Sequence, residues 1–514
     1  MKLRVLGTSV LASVLLAACG GGGGAVDVDG GGGSGDEPGG QGGTLVAAIS
    51  GEPDQLDPHK TSAYASFQVL ENVFDTLVEP GDDLEMQPAL ATEWETSEDG
   101  LTWTFTLRDD VTWHNGRAFT AEDVVYSYDR IVDEELANAY RFEAVEDVTA
   151  PDPKTVVITV SRPTPNLLAN IGAFKGMAIV AKENVEDGSI TREPIGTGPF
   201  SFESYAPGDN LELVRNDEYW GDEVALDGVR YTFVSESTVA LTNLTGGQAQ
   251  WTDNLPPQQV EQLQDSDDLE VQAVPSNDYW YFAANQARKP FDDPRVRQAL
   301  AYGIDREQIT EAATFGLATV NQTAIPEGST FHDDYAPYER DVEKARSLLQ
   351  EAGVTGRLPL ELMVTTEYPE TVTAAQVIQS QLEEVGIDVE VRRLDFAAWL
   401  EAQGKGDFDV FMLGWLGNID PDDFYYAQHR TGASFNFQKY SNPEVDEALD
   451  AARSETDEDA RKELYSTAVE RIVDDASYVY LYNPQVVQGW APEVRGYEVR
   501  ADRAIRFRDV SLAS

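Results

Sequence analysis

The sequence predicts a mixed α/β protein with more than one lobe. Residues 44–514 form a body that is too long for one small domain, because domains usually contain about 50–200 residues. Its composition, with 41% hydrophobic and 10% aromatic residues, is sufficient for sizeable cores. Strand-like and helix-like stretches alternate along this body, which is typical of α/β architecture. We find no repeat with a period of about 20–50 residues.

Local patterns place several of these elements. Residues 102–107 and 154–160 alternate polar and apolar side chains, as half-buried strands do. Thr120 predicts the cap of a helix, because acidic residues follow in the first turn. Two further helices are predicted, one opening at Asp293-Pro294 and one amphipathic over residues 372–385.

The N-terminus predicts a lipoprotein signal peptide over residues 1–19. Positive charge precedes an apolar stretch, residues 5–18, which is too short to cross a bilayer. It ends in Leu-Ala-Ala-Cys, which resembles the lipobox of bacterial lipoproteins and implies lipid attachment at Cys19. Cys19 is the only cysteine, which excludes a disulfide framework and a cysteine-based metal cluster. The alternative is an ordinary secretory signal that happens to contain a cysteine.

Residues 20–43 predict a flexible tether. They are mostly glycine, with a few acidic, serine and proline residues, and contain almost nothing that could be buried. We therefore expect a monomer that is held by its lipid at the extracytoplasmic face of the cell membrane, in the periplasm or at the cell surface.

The charge balance is strongly acidic. The chain has 37 Lys and Arg against 91 Asp and Glu, a formal net charge of −54. This excludes nucleic acid as a partner, because binding phosphates requires a basic surface. The acids are spread along the chain, which indicates a solvated acidic surface, suited to high salt, rather than an acidic active site.

One continuous stretch carries a family resemblance. Residues 105–127, from Phe105-Thr106-Leu107 through Trp113-His114-Asn115-Gly116 to Tyr126-Ser127, resemble the signature of the family 5 extracellular solute-binding proteins, the dipeptide and oligopeptide receptors of ABC importers. Further motifs of that family follow in its usual order: Glu52-Pro53, Leu56-Asp57-Pro58, residues 194–200, Asn216, Tyr219-Trp220-Gly221, Asn285, Pro290-Phe291, residues 295–300 and Ile304-Asp305-Arg306.

This resemblance implies a periplasmic-binding-protein-like fold of two α/β lobes with a ligand cleft between them. Lobe 1 is expected over residues 44–281, with an extra domain inserted at about 64–194. Lobe 2 is expected over residues 282–484, and residues 485–514 return to lobe 1. The chain is expected to cross between the lobes near residues 276–284 and 482–488.

The same resemblance implies a binding function. The protein is expected to capture peptides or similar small solutes and to deliver them to ABC permease and ATPase subunits. No cofactor, no metal site and no catalytic residue is expected. An oligosaccharide or chelated nickel is an alternative solute, and His429 with Arg430 is the candidate contact for a chelated metal.

The alternative of a different class is a secreted hydrolase. It is disfavoured because the sequence contains no Gly-x-Ser-x-Gly elbow, no His-Glu-x-x-His zinc motif and no Walker loop. His114, Gly196 and Gly198 are interpreted as turn residues, and Trp113, Phe119 and Val124 as core.

Aromatic residues at the first crossing are candidate ligand contacts. Tyr279, Trp280 and Tyr281 offer ring faces with hydroxyl and indole donors that could enclose an extended solute. Neighbouring residues of a strand point to opposite faces, so either Tyr279 and Tyr281 or Trp280 are expected in the cleft, and the rest in the core.

A second candidate segment contains Gly414, Trp415, Asn418 and Asp420. An apolar strand ends there in a polar turn, so polar side chains emerge where the strand meets the cleft. In the family's peptide receptors, an aspartate three residues after the tryptophan pairs with the amino terminus of the peptide. That position is Asn418 here, which implies a solute that either lacks a free amino terminus or places it against Asp420. Asp422 and Asp423 are interpreted as helix-capping residues.

Overall fold

The computed structural model describes residues 42–61, 63–136, 138–173 and 176–513. The predicted signal peptide, Cys19 and nearly all of the predicted tether lie outside these residues. Within the described part of the chain, no helix combines the length and the apolar character that crossing a membrane requires.

Strands are distributed along the whole described chain. In chain order they are β1 (Thr44–Ile49), β2 (Val78–Pro80), β3 (Met86–Pro88), β4 (Ala91–Thr96), β5 (Thr102–Leu107), β6 (Val145–Asp152), β7 (Thr155–Val160), β8 (Phe200–Ala206), β9 (Asn210–Arg215), β10 (Gly228–Phe233), β11 (Trp251–Thr252), β12 (Glu270–Pro275), β13 (Tyr279–Ala284), β14 (Ala318–Val320), β15 (Leu358–Thr365), β16 (Ile387–Leu394), β17 (Val410–Trp415), β18 (Val479–Trp490), β19 (Val494–Arg495) and β20 (Ser511–Leu512).

Helices alternate with these strands. In chain order they are α1 (Tyr64–Leu70), α2 (Ala121–Asp133), α3 (Leu167–Gly172), α4 (Lys182–Glu186), α5 (Ser237–Thr245), α6 (Val260–Gln264), α7 (Pro294–Gly303), α8 (Arg306–Thr314), α9 (Val342–Glu351), α10 (Pro369–Val385), α11 (Phe396–Lys405), α12 (Pro421–His429), α13 (Pro443–Ala452) and α14 (Glu458–Asp474), with short 3₁₀ turns at Ala139–Phe142, Ser189–Thr191 and Pro257–Gln259.

A long mixed sheet runs through the protein. Its strand order is β16-β15-β17-β13-β18-β11-β1-β10-β9-β8, and β12 and β14 also pair with β18. The first half of β18 pairs with β13 and β14, whereas its second half pairs with β11 and β12. Thus β18 joins the two halves of the sheet.

Buried apolar side chains form three main cores. The first core comes from residues 45–74, 178–251 and 490–510. The second core comes from residues 279–482, and the third from residues 77–181. The turn between β12 and β13, together with β18, connects the first core to the second. The limits of the lobes and of the inserted domain given above stay predictions.

The local sequence patterns are confirmed. The strand predicted at residues 102–107 is β5, and α2 begins after Thr120, which forms a capping box with Asp123. Asp293 caps α7 by accepting a hydrogen bond from the Arg295 amide at 2.9 Å. Helix α10 begins at Pro369, three residues before the predicted start at 372, because proline is well tolerated in a first helical turn.

Residues 113–124 and 196–198 are structural. Trp113, Phe119 and Val124 are buried in the third core. The Nε2 of His114 lies 3.0 Å from the Gly198 carbonyl oxygen, and its Nδ1 accepts from the Gly196 amide at 3.2 Å. Burial lowers the pKa of His114 to about 4, so its ring is neutral at pH 7. A side chain at position 196 would overlap the neighbouring backbone, because its Cβ would lie 1.8 Å from the Val73 carbonyl oxygen.

Candidate ligand-binding cleft

A cavity of about 290 Å³ is lined by stretches of the chain that contribute residues to all three cores. Its wall comes from four stretches of the chain: residues between 61 and 80, between 138 and 173, between 368 and 437, and between 502 and 506. The wall is mostly apolar, with a few polar and charged groups. Such a composition is typical of small-molecule sites, in which apolar contacts supply affinity and a few polar groups fix orientation.

The turn after β17 forms one side of this wall. Gly414, Trp415 and Asn418 all line the cavity, as the sequence predicts for the end of that strand. The turn is held from behind by Asp278, which is fully buried and accepts a hydrogen bond from the Gly417 amide at 2.6 Å. Asn277 donates to the Asn418 carbonyl oxygen at 3.0 Å. These contacts fix the position of Asn418 on the wall.

Gly414 lets the wall approach an aromatic ring closely. A Cβ at this position would lie 2.8 Å from the Trp280 ring, so a larger residue would displace the ring. Trp280 itself is only 2% exposed and packs edge-on against Tyr368, with ring centroids 5.5 Å apart. Trp280 therefore lies behind the wall, and Tyr368 is the ring that lines the cavity.

The structure does not bring Tyr279, Trp280 or Tyr281 to the cavity wall. Tyr281 stacks on Tyr478 with centroids 3.7 Å apart, and the Tyr279 hydroxyl donates to the Phe424 carbonyl oxygen at 3.2 Å. The reason is that β13 is an inner strand, paired on both edges, and every residue of it is buried. The prediction that one face of this strand lines the cleft would require a sheet with only one face covered, whereas both faces of β13 are covered. A direct ligand contact by these three residues stays a prediction.

Asp420 is also absent from the wall and is already paired. It caps α12 by accepting from the Asp422 amide at 2.9 Å. Both of its oxygens accept hydrogen bonds from Arg461, at 2.6 Å and 3.0 Å. The side chains are 12% and 8% exposed, respectively, so this is a buried ion pair. The Asp420 carboxylate therefore already accepts hydrogen bonds within the protein.

Asp422 and Asp423 are not caps, because Asp420 holds that position. Asp422 Oδ2 lies 3.2 Å from Arg453 Nε and accepts from the Asn166 side chain, also at 3.2 Å. Asp423 lies on the cavity wall and pairs with Arg141, whose Nη2 is 2.7 Å from Asp423 Oδ1. These contacts join α12 of the second core to residues that flank the third core.

Arg141 is a cationic group on this part of the wall. Its side chain is 3% exposed, and its Nε and Nη1 have no hydrogen-bond partner among the described residues. Burial alone would lower the pKa of the guanidinium, but the neighbouring Asp423 carboxylate raises it above its ordinary value, so Arg141 stays charged. Two buried donors on a cavity wall without partners indicate that a ligand acceptor is expected there.

Arg141 and Glu71, another wall residue, are not marked as site residues by any pattern in the sequence. Arg141 lies in a short 3₁₀ turn between helix α2 and strand β6, and no motif marks it. Glu71 follows α1 directly and resembles one more acidic surface residue in a chain with 91 of them. The only available signal was the position of Arg141 between Tyr140 and Phe142, because a cation between two aromatic residues is often partly buried.

His429 is part of the second core. Its ring nitrogens lie 3.0 Å from the Ser477 hydroxyl and 2.9 Å from the Tyr480 hydroxyl. Burial lowers the pKa of His429 to about 3, so it is neutral at pH 7. Among the residues that the structure describes, no group of three or more His, Cys, Asp or Glu side chains is arranged to hold a metal ion.

Comparison with known proteins identifies the family. The family model for bacterial extracellular solute-binding proteins, family 5, middle region, matches residues 85–437, which is more than half of the chain. The chain belongs to this family. This confirms the resemblance predicted from residues 105–127 and from the motifs around it.

Several family 5 relatives match over nearly their whole length. The glutathione-binding protein GsiB of Pectobacterium atrosepticum is 30% identical over 481 residues, which is 91% of this chain and 94% of that protein. The dipeptide-binding protein of Escherichia coli is 28% identical over 509 residues, covering 92% and 95%. The family 5 protein is therefore an extracytoplasmic solute-binding protein of the ABC-importer type, as the sequence predicts.

Solved structures of family 5 relatives share the fold. The periplasmic binding protein DppA of Helicobacter pylori, in complex with the peptide STSA, is 27% identical with a TM-score of 0.85, over 92% of this chain and 99% of that one. AgaA from A. tumefacien, in complex with agropinic acid, is 26% identical with a TM-score of 0.85, over the same shares. The predicted two-lobed α/β binding-protein fold is thus confirmed.

Proposed function

We propose that this protein captures a peptide or a similar small solute in the cavity described above and passes it to an ABC permease and its ATPase, without catalysing a reaction on it. The observation that carries this proposal is the cavity itself, which is walled by segments of all three cores. The ligands of the relatives support a small solute, since these proteins are named for glutathione and dipeptides, and one solved relative holds agropinic acid.

The free donors of Arg141 indicate the chemistry of one end of the solute. A carboxylate matches the fork of guanidinium N–H groups, and two parallel charge-assisted hydrogen bonds are stronger than neutral ones. The proposed solute therefore carries a carboxylate or a similarly placed pair of acceptor oxygens. The aromatic wall residues then supply apolar contact to its body; they include Tyr140, Tyr368, Phe396, Trp415, Phe435 and Phe437.

A ligand screen tests the proposed function. We expect at least one compound among dipeptides, tripeptides, glutathione, oligosaccharides and metal chelates to raise the melting temperature, because ligand at a hundred times its Kd adds about 2.7 kcal/mol to the free energy of unfolding. Native mass spectrometry should then show one ligand per chain, and X-ray scattering a smaller radius, because lobes close on their ligand. The same compounds should be recovered unchanged after incubation. A broad screen with neither a melting shift nor compaction contradicts the proposal.

We also propose that the mature chain is anchored by a lipid on Cys19, which lies outside the described residues. Replacing Cys19 with serine is expected to move the protein from the membrane fraction to the soluble fraction. Melting temperature and ligand affinity should not change, because the glycine-rich segment separates Cys19 from the folded body. Fractionation of cells that express each form makes the measurement. Cys19→Ser protein that stays with the membrane would contradict the lipid anchor.

A further inference from the structure

The cavity wall carries three carboxyl groups, and they differ in how well they are paired. Asp423 Oδ1 lies 2.7 Å from Arg141, and Asp502 accepts from Arg500 at 3.1 Å. Glu71 is different. Its Oε2 is buried and accepts no hydrogen bond from the described residues. The Nε of Arg506 lies 3.9 Å away, which is beyond hydrogen-bond distance.

The arginines near Glu71 are engaged elsewhere. Arg506 donates through Nη1 to Glu79 at 2.9 Å, and Arg500 donates through Nη1 to Asp82 at 2.8 Å, besides its contact with Asp502. Each of these cations is thus hydrogen-bonded to a carboxylate other than Glu71. An ionised Glu71 would therefore be a buried negative charge without a hydrogen-bonded partner, which is costly in a protein interior.

We propose that Glu71 is the subsite for a cationic group of the solute, such as an ammonium, and that its carboxyl proton leaves to solvent when this group binds. The inference rests on the proposed function and names the chemistry of the second end of the solute. In the exchange, Glu71 changes from the acid to the carboxylate, the solute keeps its ammonium protons, and one H⁺ is released. The net charge of the cavity is unchanged, because the ammonium replaces the proton.

The surroundings of Glu71 support this exchange. Burial raises the pKa of Glu71 to about 8, so its carboxyl is protonated at neutral pH in the absence of a ligand. Burial also raises the pKa of Tyr64 and Tyr231 well above the ordinary value, so both hydroxyls stay neutral. The charged groups that act most strongly on Glu71 are Arg506, Asp502, Arg500 and Glu79, and Asp75 and Arg508 lie beside the same side chain.

Neither Asn418 nor Asp420 can supply the carboxylate for an ammonium of the solute, and this favours Glu71. Asn418 carries no charge, and the carboxylate of Asp420 is held by two hydrogen bonds from Arg461 away from the wall. A solute with an ammonium would therefore find its carboxylate partner across the cavity wall at Glu71, on the chain stretch that follows α1.

The exchange predicts a pH dependence with a defined sign. A cation binds only the ionised form of Glu71, and the fraction in that form falls about tenfold per pH unit below a pKa of about 8. Affinity for an amine-bearing solute should therefore fall about tenfold per unit from pH 7 to pH 5. At pH 7, Glu71 should lose about 0.9 proton on binding, because only about a tenth of its carboxyls are already ionised, and an α-amino group should take up about 0.1 proton, so the net release is about 0.8 proton.

Calorimetric titration of the full-length chain tests this inference, with trialanine and N-acetyl-trialanine as probes. Titrations at pH 5, 6 and 7, in two buffers that differ in ionisation enthalpy, give the affinity and the number of protons released. Wild type should release a net of about 0.8 proton with trialanine at pH 7. Glu71→Gln should release none, should bind trialanine at least tenfold more weakly at pH 7, and should lose the pH dependence, while its affinity for N-acetyl-trialanine stays the same.

Asp75→Asn is the matched control. Asp75 is another buried acid of this region, and burial raises its pKa to about 6, but Thr197 and Trp220 donate to it at 2.7 Å and 3.0 Å and it does not line the cavity. This variant should release protons as wild type does. The proton count of wild type does not depend on any variant, so a folding defect in Glu71→Gln would leave the test intact.

Two results would overturn the inference. One is trialanine binding by wild type without proton release. The other is that the protein binds solutes without a cationic group and does not bind amine-bearing solutes. This second result would still agree with the proposed function. If no compound of the ligand screen binds, the proposed function fails, and this inference fails with it.

Discussion

Replacing Arg141 with methionine is expected to weaken the binding of a carboxylate-bearing solute by about 100-fold or more. The two free donors, Nε and Nη1, are buried on the cavity wall, and each charge-assisted hydrogen bond is worth about 1.5–3 kcal/mol. Losing both corresponds to at least about 3 kcal/mol, and the ion pair with Asp423 would also be lost. Calorimetric titration with a free peptide and with its carboxyl-terminal amide measures the effect, which should be larger for the free peptide.

Two further variants make this result specific. Arg141→Lys keeps the charge but offers no planar fork of donors, so it should bind more weakly than wild type and more tightly than Arg141→Met. Arg162→Met removes an arginine that is 33% exposed, lies 3.7 Å from Glu143 and is absent from the cavity wall, so it should bind as wild type does. Equal affinity of Arg141→Met and wild type for the free peptide would show that the carboxylate end of the site lies elsewhere.

Elements that are determined by residues close together in the sequence are predictable from the sequence alone. The alternation at residues 102–107 and the capping pattern at Thr120 are local, and each fixes an element whatever packs on it. The two-lobed architecture was predicted from the family motifs, because no local pattern in the sequence indicates how the lobes are arranged. Gly414, Trp415 and Asn418 line the cavity because a strand end projects its turn into a cleft, and their contact with a ligand stays a prediction.

The wall charges were not predictable, because they depend on contacts between distant parts of the chain. Arg141 is buried by residues of α12, almost 300 positions later, and the surroundings of Glu71 are completed by Asp502 and Arg506 near the C-terminus. Likewise, the pattern of β13 could not show that both of its faces are covered. In so acidic a chain, Glu71, whose Oε2 accepts no hydrogen bond from the described residues, differs from other acidic residues only by its tertiary surroundings.

Replacement of Asp420 is also expected to have a large effect, on stability rather than on ligand binding. Replacing Asp420 with alanine is expected to lower the free energy of unfolding by about 3–5 kcal/mol, because it leaves the buried Arg461 guanidinium without its carboxylate. Loss of the α12 cap adds about 1 kcal/mol. Urea unfolding followed by circular dichroism measures the change. Asp420→Asn retains the cap and should lose less.

The partner variant separates this role from ligand binding. Because the charges of Asp420 and Arg461 compensate each other, the double variant Asp420→Ala, Arg461→Met should be more stable than Asp420→Ala alone, which a double-mutant cycle records as a coupling energy. If Asp420 instead held the amino terminus of a peptide, its replacement would abolish binding of free-amine peptides, spare N-acetylated ones and leave unfolding nearly unchanged. The ion pair predicts the reverse. The variant should lose much of its free energy of unfolding, and its folded fraction should bind free-amine and N-acetylated peptides with equally changed affinity.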